Sequence, residues 1–216
     1  MSGKPRLILA SNSPRRRDLL SALGLDCEVI PSSVDESEVR AGSPTALAVQ
    51  LAYLKATDVA ERVAAPAAVI GADTVVALGL EIFGKPLDRA DAWRMLRALR
   101  GETHSVITGV ALAMAGRSCQ VTSCETSVTM RDFSDAELEA YIDSGEPLDK
   151  AGAYAIQGLG GSLIESHEGC WCNVVGLPLI HLLGLLREEM DVSRHPVTCR
   201  CLPWPHVVDG PQPWEK

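Results

Sequence analysis

The segment RLILASNSPRRRDLLSALG, residues 6–24, is the clearest indication of the fold class. Its apolar beginning, Arg6 to Ala10, predicts a buried strand. Ser13 followed by Pro14 is typical of the N-terminal end of a helix, and Gly24 would end that helix. A strand that passes through a polar loop into a helix is a unit of α/β proteins.

The alternation of strands and helices continues through most of the chain. We predict further strands at residues 27–30, 68–72, 75–78, 105–115 and 120–130, the last two as an antiparallel hairpin. We predict further helices at residues 44–63, 89–100, 135–145 and 178–190. Helices flanking a mixed sheet make the expected fold α/β, with an α+β mixed sheet. Residues 1–190 would form this domain, and the proline-rich residues 191–216 a flexible tail.

Composition narrows the classes of function. The 216 residues are 46% hydrophobic, which favours a globular domain over a disordered chain. The formal net charge of −8 disfavours binding to a nucleic-acid polymer but allows a small polyanion. Because no stretch approaches the roughly 20 apolar residues of a membrane span, and the apolar run near the N-terminus is too short for a signal peptide, we expect a cytoplasmic protein with no membrane partner.

The seven cysteines favour free thiols, since their number is odd and they are spread over the whole length. Two Cys-x-Cys pairs occur, Cys170/Cys172 and Cys199/Cys201. Structural zinc sites usually have two to four residues between paired cysteines, so buried or incidental thiols are the favoured interpretation.

The loop between the first strand and the first helix is a candidate phosphate site. A helix N-terminus offers unpaired N–H groups and a positive dipole end to an anion. Ser11 and Ser13 add hydroxyls, and Arg15 and Arg16 add donors that match phosphate oxygens. The alternative is that Ser13 only caps the helix and the arginines are solvated.

Two acidic positions are candidates for catalysis and metal binding. Asp73 ends the buried run AVIGA, and a carboxylate there would need a partner or a metal. It would orient Mg²⁺ or accept a proton from the attacking water, with a turn residue as the alternative. Glu36 could complete a Mg²⁺ site with Asp73, unless it belongs to a solvated acidic loop. Asp88 is a possible further ligand or, equally well, a helix cap.

Three further residues could contact a nucleotide. Lys55 lies in a largely apolar stretch of the second helix, and Lys85 lies in the constrained loop Gly-Lys-Pro, suited to a phosphate. Gln157 carries both a donor and an acceptor, so it could bind the edge of a base. No P-loop, dinucleotide-binding glycine motif, HExxH motif or GxSxG elbow occurs, which leaves no motif for a protein nucleophile.

Taken together, these segments resemble the Maf nucleotide pyrophosphatases over residues 6–190. The matching segments, in order, are ASNSPRR (10–16), GADT (71–74), GKPLD (84–88), HSVITGV (104–110), SGEPLDKAGAYAIQG (144–158) and NVVGLPL (173–179). The resemblance implies a fold related to inosine triphosphate pyrophosphatases, with two lobes around a central cleft, and a homodimer. It implies hydrolysis between the α- and β-phosphates of a nucleoside triphosphate with Mg²⁺, for which Mn²⁺ or another divalent cation may substitute.

The resemblance also assigns roles to individual residues. Asp73 matches the proposed catalytic carboxylate of the family. The positions that match its phosphate-binding residues are Ser11, Arg15, Arg16, Lys55 and Lys85. The positions that match its specificity residues are Arg15, Thr74 and Gln157. The segment KAGAYAIQ, residues 150–157, is similar to the branch that acts on dTTP and UTP in nucleotide-pool housekeeping. The alternatives are a 7-methyl-GTP or other non-canonical nucleotide pyrophosphatase, and a nucleotide-binding regulator of cell division.

Overall fold

The computed structural model describes residues 5–115 and 117–187, together with residues 189 and 192. The strands are β1 (Arg6–Leu9), β2 (Glu28–Val29), β3 (Ala67–Leu78), β4 (Glu81–Phe83), β5 (Thr103–Met114), β6 (Gln120–Met130) and β7 (Ile164–Glu168). The helices are α1 (Pro14–Ala22), α2 (Pro44–Arg62), α3 (Arg89–Leu99), α4 (Asp135–Asp143), α5 (Trp171–Val175) and α6 (Leu179–Leu186). Short 3₁₀ turns cover Glu36–Glu38, Glu146–Asp149, Ala151–Ala153 and Gly158–Leu163. The predicted tail, apart from residue 192, lies outside the described residues, as do Cys199 and Cys201.

Within the described chain, the strands form one seven-stranded mixed sheet in the order β2-β1-β3-β5-β6-β7, and β4 pairs with β3 outside this path. β1 is parallel to both β2 and β3, and the other pairs are antiparallel. The predicted α/β class with a mixed sheet is therefore confirmed. The predicted hairpin is also confirmed, since β5 and β6 pair along almost their whole length.

Strand β3 differs from the prediction, because it continues through Asp73 and Thr74 without a break. These two residues pair with Gly109 and Thr108 in the long antiparallel ladder with β5, and this non-local pairing holds the polar residues in strand geometry. The parallel pairing with β1 ends earlier, at Ile70. Asp73 therefore lies in the middle of a strand but beyond the carboxyl end of β1, and polar side chains beyond the carboxyl ends of parallel strands often form ligand sites.

Hydroxyl or carboxylate side chains cap three of the helices, whereas the predicted cap of α1 is absent. The side chains of Ser43, Asp88 and Ser134 each accept a hydrogen bond from the first turn of their helix. The hydroxyl of Ser13, which was predicted to cap α1, makes no such bond. Instead, the Ser11 hydroxyl accepts a hydrogen bond from the backbone N–H of Ser13, at 3.2 Å. The chain before α1 is thus stabilised by a residue two positions earlier than predicted.

Helix α2 lies unusually close to the sheet because glycines face it. A Cβ atom at Gly71 would be 2.1 Å from the carbonyl oxygen of Ala52, and one at Gly109 would be 2.3 Å from that of Ala48. Side chains at these positions would therefore force the helix away from β3 and β5. The close packing brings Lys55, on the same helix, to the carboxylate of Asp73.

Two large apolar cores lie toward opposite ends of the long strands. One contains the leucines of α1 and α6 together with Leu9, Ile70 and Leu112. The other surrounds Phe83 and Phe133 and includes α3 and α4. The cores correspond to the two predicted lobes, which share the continuous strands β3, β5 and β6. Within the described residues, none of the helices combines the length and apolar composition that a membrane crossing requires.

Candidate active site

A cleft of about 630 Å³ opens between the two lobes. Its walls include the loop from β1 to α1, the middle of β3, the loop after β4, and the segment from Asp149 to Gln157. The predicted site residues that line it are Ser11, Ser13, Arg15, Arg16, Glu36, Lys55, Asp73, Thr74, Lys85 and Gln157. Residues from six separate parts of the sequence therefore face one space.

Asp88 is the predicted site residue that the cleft does not include. Its carboxylate accepts a hydrogen bond from the backbone N–H of Asp91, at 2.8 Å, and so caps α3. Of the two interpretations of this residue, the structure favours the helix cap, because the capping geometry turns the carboxylate toward its own helix.

A triad of charges occupies one side of the cleft. The Lys55 ammonium donates to Oδ1 of Asp73 at 2.6 Å and also lies 2.6 Å from Oε1 of Glu36. Lys55 and Asp73 are each only 7% exposed, whereas the Glu36 side chain is about half exposed. Buried charges are stable only when paired, and here one cation serves two carboxylates.

The two carboxyls of the triad have opposite pKa shifts. Burial raises the pKa of Asp73, although the charges of Lys55 and Arg16 act in the other direction. Burial also acts to raise the pKa of Glu36, but the hydrogen bond and charge of Lys55 outweigh it and leave that pKa below its usual value. Asp73 is therefore the stronger base of the two carboxylates.

Arg16 is a second buried cation of the cleft, close to the triad. Its guanidinium donates from Nε to the carbonyl of Gly176 at 2.8 Å, and from its terminal nitrogens to the hydroxyls of Ser11 at 3.0 Å and Thr74 at 3.1 Å. Within the described chain these bonds use three of the five N–H donors, so two remain for an anion. Burial lowers the pKa of Arg16, but an arginine stays protonated in proteins.

A buried polar network lies behind Thr74 and keeps this arrangement in place. The Thr74 and Thr108 hydroxyls are 2.9 Å apart. Asn173, on α5, accepts from the Thr108 backbone N–H and donates to the Val106 carbonyl and the Thr126 hydroxyl. Asn173 is fully buried, and these bonds satisfy its amide. Asn173 begins the segment NVVGLPL, which is part of the family resemblance, but no role was predicted for this residue.

The remaining predicted residues lie at the mouth of the cleft. Arg15 is half-buried, with a guanidinium nitrogen 3.9 Å from the carboxylate of Asp149. Lys85 is exposed, and Gln157 is half-buried. The prediction missed Asp149, which lines the cleft. Lys150 lines it too, with its ammonium bonded to Asp149 and to the Glu146 carbonyl. The available signal was the quoted segment KAGAYAIQ, which begins at Lys150 and directly follows Asp149.

Residues 5–115 and 117–187 contain no group of three or more His, Cys, Asp or Glu side chains arranged to hold a metal ion. Cys170, the first cysteine of the described Cys-x-Cys pair, accepts a hydrogen bond from the backbone N–H of Asn173 through its sulfur and so caps α5. Cys124 and Cys172 are buried free thiols.

Comparison with known proteins gives consistent matches. A family model described as Maf-like protein matches residues 6–189. The chain is 51% identical over 184 residues to the dTTP/UTP pyrophosphatase of Gloeobacter violaceus, covering 85% of this chain and 95% of the relative. It is 48% identical over 190 residues to the dTTP/UTP pyrophosphatase of Acetivibrio thermocellus, covering 85% and 94%. The solved structure of a HAM1 protein from Coxiella burnetii is similar with a TM-score of 0.46 at 14% identity, covering 74% of this chain and 80% of that chain.

Proposed function

Because this chain belongs to the Maf-like protein family, we propose that it is a nucleoside triphosphate pyrophosphatase that hydrolyses dTTP and UTP to the monophosphate and pyrophosphate. The names and high identity of its curated relatives support this activity. The reaction would serve nucleotide-pool housekeeping by removing pyrimidine triphosphates, including modified ones.

The observation that carries the proposal is that one cleft holds both carboxylates and buried cations. Asp73 and Glu36 are paired with Lys55. Arg16, in the first turn of α1, is bonded to Ser11 and to Thr74, the residue that follows Asp73. A triphosphate needs cations along its oxygens and a base near its α-phosphorus, and this cleft offers both within one enclosed space.

The N-terminal end of α1 and the guanidinium of Arg16 would hold the phosphates. The N–H groups at the start of α1 and the two remaining donors of Arg16 point to an anion-binding role at the base of the cleft. Ser11, Ser13, Arg15 and Lys85 would contact the phosphate oxygens nearer the mouth. Such contacts stabilise the charge that develops on the pyrophosphate leaving group as the bond breaks.

Asp73 would act as the general base. Its raised pKa lets the carboxylate accept a proton from a water that attacks the α-phosphorus, and its partner Lys55 holds the carboxylate in place. No protein nucleophile is required, so the oxygen added to the monophosphate would come from solvent. Lys55 would also contact a phosphate once substrate binds.

The donor set of the triad fits Mg²⁺. Glu36 and Asp73 already direct carboxylate oxygens at one cation, the ammonium of Lys55, and Mg²⁺ prefers one or two carboxylates together with phosphate oxygens. A bound Mg²⁺ or Mn²⁺ would neutralise charge on the phosphates. Lys55 would have to release at least one carboxylate to make room for it. Asp88 is not part of this proposed site, because it caps α3.

The test is pyrophosphate release from dTTP, UTP, CTP, 7-methyl-GTP and ITP, with and without Mg²⁺ or Mn²⁺. We expect metal-dependent release from dTTP and UTP first, and a loss of turnover of about 10²-fold or more for Asp73→Asn. Turnover of 7-methyl-GTP or ITP alone would refute the substrate assignment. Tight UTP binding without any pyrophosphate release would refute the proposed enzymatic activity and favour a nucleotide-binding regulator of cell division.

Two further properties are proposed on the family resemblance. The protein would be a homodimer, which analytical ultracentrifugation of the full chain tests directly. A substrate taken from the nucleotide pool also supports a cytoplasmic location, which cell fractionation tests.

A further inference from the structure

The segment that carries Gln157 is attached to the rest of the protein on both sides of that residue. Tyr154 contacts His104 on the N-terminal side. Leu159 and Gly160 contact Glu146 on the C-terminal side. Tyr154 itself lines the cleft, but neither His104 nor Glu146 does. Their contacts therefore serve something other than direct binding of substrate.

The contact on the N-terminal side joins two buried rings. His104 on β5 is 3% exposed and Tyr154 is 5% exposed, with Nε2 of the histidine 2.6 Å from the tyrosine hydroxyl. The rings are nearly perpendicular, with centroids 5.4 Å apart. Because His104 lies on β5 and pairs with Val128 of β6, this hydrogen bond ties the segment to the central sheet.

The contact on the C-terminal side is a carboxylate that collects three hydrogen bonds. Glu146 accepts from the backbone N–H of Leu159 at 3.1 Å and from that of Gly160 at 3.0 Å. It also accepts from the Tyr141 hydroxyl at 3.2 Å. Hydrogen bonds to a charged acceptor are roughly twice as strong as neutral ones, so this carboxylate holds the turn that begins directly after Gln157.

Gln157 is thus fixed through its backbone while its side chain stays available. The side chain lines the cleft and makes no hydrogen bond within the described chain. Its amide presents an acceptor and a donor side by side, which matches the N3–H donor and the O4 acceptor of a uracil or thymine edge. Cytosine has the opposite pattern on that edge, so a glutamine amide in the orientation that matches uracil or thymine disfavours it.

We propose that His104, acting through Tyr154, and Glu146 are positioning residues that set the selectivity of the cleft for uracil and thymine over cytosine. The inference rests on the proposed function, because it assumes that a pyrimidine nucleotide occupies the cleft. Its physical basis is that a polar group discriminates between bases only when it cannot move to accommodate the wrong one.

The experiment compares Tyr154→Phe and Glu146→Gln with the parent protein. Both substitutions keep the size of the side chain and remove or weaken one attachment. Matched controls are Tyr53→Phe and Glu165→Gln, at residues that lie outside the cleft. The readouts are kcat and KM for UTP and CTP, dissociation constants of both nucleotides, and inhibition by inorganic tripolyphosphate, which has no base.

We expect the preference for UTP over CTP to fall about tenfold in each test variant, mainly through KM for UTP. Inhibition by tripolyphosphate should change less than about twofold, since the phosphate contacts are elsewhere. An unchanged UTP preference in both folded variants would overturn the proposal. So would an equal loss of affinity for tripolyphosphate, because that result indicates general loosening of the cleft.

A double-variant comparison separates positioning from general stability. If Glu146 acts through Gln157, the substitution Glu146→Gln should leave the UTP preference unchanged in a Gln157→Ala background. A further loss of similar size in that background would contradict the proposal. If the parent protein binds UTP but releases no pyrophosphate, the proposed function fails, and the ratio of the two dissociation constants still tests this inference.

Discussion

Replacing Gly71 with alanine tests how the charged triad of Lys55, Asp73 and Glu36 is assembled. Gly71 lies on β3 directly beneath helix α2. An added Cβ would be 2.1 Å from the carbonyl oxygen of Ala52, and 2.7 Å and 2.9 Å from the backbone nitrogen and Cβ of Ala56. Backbone atoms cannot rotate out of the way, so the helix itself must move.

The size of the effect follows from these distances. Restoring an ordinary contact requires a displacement of α2 by about 1 Å, and overpacking of this kind destabilises a protein by about 1–3 kcal/mol. Lys55 moves with the helix, and its ammonium is only 2.6 Å from the carboxylate of Asp73. Since a misplacement of about 1 Å can reduce catalysis by about 10²-fold, turnover should fall more than stability alone would predict.

The assay combines urea unfolding with pyrophosphate release from UTP, measured where the variant is fully folded. Gly184→Ala is the matched control, since no atom lies within 4 Å of its added Cβ and the position is inside α6. We expect that control to keep its activity and to gain up to about 1 kcal/mol of unfolding free energy. A Gly71→Ala protein with parental stability and turnover would refute the packing argument.

Two further predictions concern buried charge. Lys55→Met removes the cation shared by Glu36 and Asp73, so turnover should fall by about 10²-fold or more and the protein should be destabilised by about 3–5 kcal/mol. Urea unfolding should show that the substitution lowers the free energy of unfolding less at pH 5 than at pH 8, because protonation of Asp73 removes the unpaired buried charge. An equal decrease at both pH values would contradict this. Burial lowers the pKa of His104 to about 4 from 6.5, so the unfolded chain binds the proton first as pH falls. As the pH falls from 6.5 toward 4, the free energy of unfolding should therefore decrease, and at pH 5 the decrease should be about 2 kcal/mol. Urea unfolding of His104→Gln should show a weaker dependence of this free energy on pH.

The order of strands and helices was largely predictable because it depends on local patterns. Apolar periodicity located most elements, and proline or hydroxyl residues at helix starts marked their boundaries. The short strand β4 and helix α5 were missed. Both contain few residues and carry no strong local signal, so contacts with distant parts of the chain decide whether they form.

The residue types at the site were also predictable from the sequence, whereas their arrangement was not. Ser11, Arg16 and Asp73 were selected from the chemistry of helix termini and buried carboxylates. The sequence alone did not indicate that the Arg16 guanidinium would bond the Gly176 carbonyl, 160 positions away. Nor did it indicate that Lys55 would form ion pairs with two carboxylates, those of Glu36 and Asp73.

The sequence by itself therefore determined the fold class, the family and most of the residues that line the cleft. The tertiary structure alone decided that Asp73 lies within a continuous strand, and that the packing of α2 against Gly71 brings Lys55 to Asp73. It also decided that the segment bearing Gln157 is held from both sides. Helix and turn preferences act over a few residues, so these elements can be predicted from the sequence alone. Pairings between strands, and the burial that shifts a pKa, depend on which distant segments meet, and only the folded chain brings those together.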